Sequence, residues 1–213
     1  LDAAAFDPDR GAVLARAQAA GVERILSVAT AASIEEFQRA LALAETAPGI
    51  WTALGMHPHE ARQATPAVLA VMKRLAQQSR VLAWGEIGLD YHYHHSPRAS
   101  QRDVFREQLR LAGELGLPVI IHCREAWNDC LEILEREWAP ASLGGVLHCF
   151  SGTANEVARA WPWKFLISVA GNLTFPGAEN VREIARAIPL EHLLIETDCP
   201  YLSPQAYRGQ RNE

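Results

Sequence analysis

The sequence predicts a (β/α)8 TIM barrel, and three observations carry that expectation. Short strand-like runs alternate with amphipathic helices along the whole of its 213 residues. The strand runs are near-continuously apolar, the mark of parallel strands buried on both faces. Neither G-x-G-x-x-G nor G-x-x-x-x-G-K-[ST] occurs, so the open doubly wound sheet, the alternative with the same alternation, lacks its phosphate-binding fingerprint.

The elements follow in order. "DRGAVLARAQAAG" (9–21) is a helix, and a helix in first place implies an eighth strand just upstream of Leu1. "ERILSVAT" (23–30) is a strand and "SIEEFQRALALAET" (33–46) a helix. "GIWTALGMHPH" (49–59) is strand then loop, "PAVLAVMKRLAQQ" (66–78) helix, and "RVLAWGEIGLD" (80–90) strand then loop. "SQRDVFREQLRLAGELG" (100–116) is the strongest helix. Ser100 and Asp103 form a capping-box-like start, Phe105, Leu109 and Ala112 share a face, and Gly116 stops it.

The second half keeps the rhythm. "PVIIHC" (118–123), "GGVLHCF" (144–150), "KFLISVAGN" (164–172) and "HLLIETD" (192–198) are strands. "AWNDCLEILERE" (126–137), "ANEVARAW" (154–161, ended by Pro162) and "ENVREIARAI" (179–188) are the helices between them. The expectation is one domain over residues 1–213, truncated at both ends, with the first strand and last helix missing.

Composition narrows the function classes. A net charge of −5 argues against a surface that holds nucleic acid by charge alone, although bound cations would change that locally. No apolar run approaches a membrane span and no secretory signal is visible. Cys123, Cys130, Cys149 and Cys199 make no C-x-x-C pair, so small buried apolar residues in a reduced, cytoplasmic protein are expected. Trp161 and Trp163, flanking Pro162, are expected in the core.

The chemistry concentrates at strand ends. "GMHPH" carries His57 and His59, "WGEIG" carries Glu86, "IIHCR" carries His122 and Arg124, "LHCFSG" carries His148, and "IETDCP" carries Asp198. A lone strand-end histidine is more often structural than a ligand. Two histidines and two carboxylates on four strand ends of one rim are another matter, because carboxylates brought together without a cation repel. Glu86, His122, His148 and Asp198 are therefore the expected metal ligands. Imidazole with carboxylate suits Zn²⁺, Mn²⁺ or Fe, and a bridging carboxylate allows two ions. Glu86 and Asp198 are the catalytic candidates, with Asp198 placed to take a proton from a water activated by the metal. His57, His59 and Arg124 are the substrate candidates, with Arg124 able to grip a phosphate bidentately. Asp90 either orients a ligand histidine or opens the following loop. Tyr91, His92, Tyr93, His94 and His95 are expected as surface or rim residues of that loop.

Together, "GMHPH", "GEIGLDYHY", "PVIIHCR", "LHCFSG", "ETDCPYLSP" and the closing "RGQRNE" give the whole chain a resemblance to the TatD family of metal-dependent deoxyribonucleases. The resemblance implies an amidohydrolase-type TIM barrel holding two divalent metal ions (Mg, Mn or Zn). Glu86 resembles the bridging carboxylate, His122 and His148 the ligands of one ion, and Asp198 a ligand of the other. The implied activity is hydrolysis of DNA phosphodiester bonds, as an exonuclease acting on single strands or ends, with a monomer favoured. The family also carries a His-x-His pair on its first strand, one step upstream of "LDAAAF". Either the full protein has that pair or this form has an incomplete first metal site. His94 stands where many relatives carry an acidic residue.

Two rivals remain at this level. An amidohydrolase or deaminase acting on C–N bonds would use the same barrel, often with a carboxylated lysine. Here the two lysines, Lys73 and Lys164, lie at no strand C-terminus. A non-catalytic barrel lacking a complete first metal site is the other.

Overall fold

A computed structural model describes residues 1–30 and 33–213. Seven strands form one sheet: β1 (Ile25–Thr30), β2 (Ile50–Gly55), β3 (Val81–Asp90), β4 (Val119–Arg124), β5 (Gly145–Leu147), β6 (Phe165–Val169) and β7 (Leu193–Ile195). Every neighbouring pair is parallel, and the spatial order is the sequence order. A doubly wound sheet would reverse direction at a switch point, and sequential winding is instead the arc of a (β/α)8 barrel.

The helices are α1 (Arg10–Ala19), α2 (Ile34–Thr46), α3 (Pro66–Leu75), α4 (Arg98–Leu115), α5 (Trp127–Glu137), α6 (Ala154–Ala160) and α7 (Glu179–Ala187). The main core lies between helices and sheet, where Phe37, Met72, Trp84, Phe105, Leu134 and Trp138 are buried. Truncating any of these large side chains to Ala is worth about 2–5 kcal/mol. A second, small cluster of Ala53, Ala83 and Ile120, with Val28 against it, fills the concave side of the sheet. The alternation along β4 follows: Ile121 and Cys123 belong to the helix-side core, while Ile120 joins the concave cluster and His122 continues on that face.

Three expectations need correction. The helix predicted to start at Ser100 begins at Arg98, with Pro97 as its N-cap and no side-chain cap. Pro97, whose ring fixes φ, already sets the helix entry, so a hydroxyl cap at Ser100 has no orphan amide to serve. Its end is as expected, at Gly116 with φ +67°. Trp161 is not a core residue: it is 36% exposed, against the His192 ring at 4.2 Å, whereas Trp163 does pack on the core. Cys123 and Cys130 are buried, but Cys149 and Cys199 are only half-buried.

Two close backbone approaches shape the concave face. A Cβ on Gly55 would lie 2.4 Å from the carbonyl carbon of Gly85, so β2 approaches β3 there only because residue 55 is a glycine, while a Cβ on Gly85 would meet Ile120 of β4 at 2.5 Å. Gly88, at φ +140°, would place a Cβ 2.0 Å from the carbonyl oxygen of His122. The second glycine of "GEIG" is thus required by the strand that carries a candidate ligand.

Candidate metal centre

Glu86 is not at a strand end. β3 runs on to Asp90, and Glu86 sits in mid-strand where the register with β4 shifts: Gly85 faces Ile120 and Ile87 faces Ile121, leaving Glu86 as the extra residue. A bulge of this kind re-aims a side chain. It directs Glu86, 8% exposed, into the concave side, where its Oε1 lies 2.8 Å from His122 Nδ1, 3.9 Å from His57 Nε2 and 3.6 Å from His148 Nε2. Sequence reading placed Glu86 with the strand ends because bulges carry no local signature.

His57, Glu86 and His122 each offer a donor atom, all within 4.8 Å of one another. His57 caps the 3-10 turn Pro58–Gln63, its Nδ1 accepting the His59 N–H, so its Nε2 is left to face the cluster. The backbone just before it is fixed from α4. Gln108 accepts the Met56 N–H at 2.8 Å and the Trp84 indole N–H at 3.1 Å, and donates to the Met56 carbonyl at 3.0 Å. Two helical turns earlier, Gln101 treats Asp90 the same way, accepting its N–H and donating to its carbonyl, each at 2.9 Å. One face of α4 therefore sets the ends of both β2 and β3.

Each of the two expected ligand histidines is backed by a carboxylate. His122 turns Nδ1 to Glu86 and Nε2 to Asp90 Oδ2, 3.0 Å away. His148, just past β5, turns Nε2 toward Glu86 and toward Asp198 Oδ1, the latter at 3.7 Å, and Nδ1 to Glu196 Oε2 in a very short contact. Histidine held by a carboxylate on its far nitrogen is the usual support of a metal ligand, since it fixes the tautomer and raises basicity. Glu196 was missed in the sequence. The usable signal was its spacing: two residues before Asp198 on an extended segment, it shares that side of the chain. Ser168, which donates to Glu196 at 2.5 Å, had no signal.

The substrate candidates divide. His57 joins the cluster itself. His59 Nε2 lies 3.0 Å from Asp90 Oδ2 as an ion-pair contact and is a buried atom that makes no hydrogen bond among the described residues. Arg124 is exposed on the rim, its guanidinium 4.9 Å from the Tyr93 ring centre. Its neighbour Glu125 pairs with His92 instead.

The electrostatics fit a cation. Burial pushes the His57 pKa down to about 3 despite Glu86, so that ring is a neutral donor. Burial opposes charge on His122 as well, but Asp90 and Glu86 outweigh it and hold the pKa up at about 9. His148 goes the same way, to about 10, because Glu86, Glu196 and Asp198 outweigh its burial. Burial would raise Glu86, yet His148, His122 and His57 pull it well below the ordinary carboxylate range. Asp90 and Glu196 are also depressed against their burial, Asp90 chiefly by His122 and Glu196 chiefly by His148. Asp198 alone is raised, by burial first. Four carboxylates thus face two protonated imidazoles in a partly buried space, and a divalent cation on N and O donors would neutralise the surplus.

The chain matches the model of the family described as TatD related DNase over residues 1–213. It is 42% identical to the uncharacterized metal-dependent hydrolase YabD of Bacillus subtilis over 213 residues, covering 100% of this chain and 82% of that protein. It is 40% identical to the 3'-5' ssDNA/RNA exonuclease TatD of Cronobacter sakazakii over 214 residues, covering 98% of this chain and 80% of the relative. The crystal structure of the TatD homologue YJJV from Escherichia coli superposes with a TM-score of 0.91 at 35% identity, covering 100% of this chain and 81% of that one. The bulge-borne Glu86, the two carboxylate-backed histidines and these matches over the full chain converge: this protein belongs to the TatD-related DNase family and is a metal-dependent hydrolase of that family.

Proposed function

We propose that this hydrolase removes nucleotides from the ends of single-stranded nucleic acid, as the exonuclease relatives are named for doing. The observation that best supports the reading is the His57–Glu86–His122 cluster around the buried Glu86, opening through His148 and Asp198 to the rim. Glu86, His122, His148 and Asp198 are the proposed ligands, and His57 is added to them by its distance from Glu86. A divalent ion held by these residues would supply Lewis acidity toward a phosphate oxygen and toward the attacking water.

The protein's own groups do the rest. Asp198 is the most exposed of the inward carboxylates, its side chain 36% accessible, with His148 Nε2 3.7 Å from its Oδ1. It is the group proposed to accept the proton of the attacking water. Asp90 and Glu196 hold the two imidazoles in place. His59 and Arg124, on the rim, are the proposed contacts to substrate phosphate. Fold alone does not choose between phosphodiester and C–N substrates, so the test must.

Metal-stripped protein given Mg²⁺, Mn²⁺ or Zn²⁺ in turn should release nucleotides from end-labelled single-stranded DNA. Glu86→Gln should lower that rate by about 10³-fold or more, roughly 4 kcal/mol of transition-state stabilisation, with an unchanged circular dichroism spectrum. Activity retained in the variant overturns the site. Absence of release by the wild type with every metal overturns the substrate and turns attention to C–N bonds.

A further inference from the structure

The loop after β3 ends in an unusual rim. Asp90 Oδ1 accepts the backbone N–H groups of His92 and Tyr93, each at 3.0 Å, while Oδ2 of the same carboxylate lies 3.0 Å from His122 Nε2. One buried side chain therefore fixes both a candidate ligand and the point from which Tyr93 leaves the backbone. The Tyr93 ring is then braced from several sides. His59 stands perpendicular to it at 5.5 Å, His92 nearly so at 4.6 Å, and His95 is tilted by 32° at 5.6 Å. The Arg124 guanidinium lies over it at 4.9 Å. Even so, Tyr93 is 43% exposed.

A large aromatic ring held rigidly and left in water beside a polar centre is poised to bind, because little side-chain entropy remains to be lost. The ligand chemistry follows from what surrounds it. The Arg124 guanidinium covers one face of the ring, so a planar ring can stack only on the part of Tyr93 left in water, with the guanidinium beside it for an anion. A ring with an anion is the pairing a nucleotide presents. The need is also physical. With a net charge of −5, the chain has no overall positive field with which to hold a polyanion, so affinity must come from local contacts.

We propose that Tyr93 is a stacking platform for one nucleobase beside the metal centre, with Arg124 holding an adjoining phosphate of the same strand. The proposal rests on the nucleic-acid reading above and names the residue through which the site grips its substrate. Stacking is indifferent to base identity, so the platform positions a strand without selecting sequence.

The test uses a short oligothymidylate with phosphorothioate linkages that resist hydrolysis, and the same strand with one base removed at successive positions from the end. Binding to the wild type, Tyr93→Phe and Tyr93→Ala is followed by fluorescence anisotropy. Tyr93→Ala should weaken binding roughly 10- to 100-fold, and Tyr93→Phe should restore it. With hydrolysable strands the loss should fall on KM rather than kcat. Removing one particular base should cost the wild type a similar factor and cost Tyr93→Ala nothing further. Equal affinity of wild type and Tyr93→Ala, or a base-removal penalty that persists undiminished in Tyr93→Ala, overturns the platform while leaving the nuclease intact. A wild type that neither binds nor cleaves any single strand overturns the nucleic-acid reading and the platform with it.

Discussion

The two carboxylate-backed histidines of this protein share a chemistry and differ in how they are built. The Asp90–His122 pair lies on adjacent strands, β3 and β4, in register through Gly88 against His122 and Asp90 against Arg124. Asp90 is 1% exposed and its backbone is clamped by Gln101. The His148–Glu196 pair spans β5 and β7, which are not neighbours. It is bridged by Ser168 of β6, which donates to Glu196 and lies 3.4 Å from the Leu147 carbonyl, and by the Cys149 N–H, which donates to Glu196 at 2.7 Å. β7 is three residues long. Ladder pairing and a buried glutamine fix the first pair, whereas a chain of side-chain hydrogen bonds fixes the second. The first half of the site is therefore the more firmly preorganised.

The largest way to break the comparison is Gly88→Ala. The added Cβ meets the His122 carbonyl at a positive φ, so β3 must part from β4 on the firm side. A loss of about 2–4 kcal/mol in chemical denaturation is expected, with metal affinity falling in parallel. An unshifted midpoint would show that ladder pairing does not set the first pair.

Gln108→Leu is the next. It leaves the Met56 N–H and carbonyl and the Trp84 indole without their buried partner, which should cost about 2 kcal/mol. Because Met56 precedes His57, metal affinity should fall as well, even though Gln108 touches no candidate ligand. Calorimetric titration of metal into the variant checks this, and unchanged affinity would mean that His57 is placed by its own turn alone.

The finest test sets Asp90→Asn against Glu196→Gln. Each removes the charge behind one histidine, and each should weaken metal binding about 10- to 100-fold. Asp90→Asn should stand nearer the upper end, because Asp90 also seats His59 and the His92–Tyr93 turn. The reverse order would make the β5–β7 side the dominant half of the centre.

Much of this architecture is written in the sequence. Apolar runs alternating with helical periodicity are local signals, and among the described residues each of the seven strands and seven helices overlaps the stretch those signals marked, although β5 and β7 are only three residues long and β3 runs on to Asp90. The candidates Glu86, His122, His148 and Asp198 could be picked out as a group because polar residues recur after the apolar runs, whereas His57 was expected at the substrate and only the fold brings its Nε2 within 3.9 Å of Glu86. Glu196 offered only its spacing, two residues before Asp198, and that spacing does not say whether a carboxylate backs a histidine or caps a turn. Gln101 and Gln108 were silent: on an amphipathic helix they read as surface, and only the strand ends packed beneath them make them structural.

By itself, then, the sequence determined the order and kind of the elements and the residue types available to one rim, because periodicity and strand polarity are properties of neighbours along the chain. The tertiary structure decided what depends on neighbours in space. It placed Glu86 on a bulge in mid-strand, brought His57 to it, set Asp90 and Glu196 behind the two imidazoles, and left Tyr93 exposed among them. Those outcomes are fixed by register, by buried hydrogen-bond satisfaction and by the shared field of charges within a few ångströms, none of which any single stretch of sequence contains.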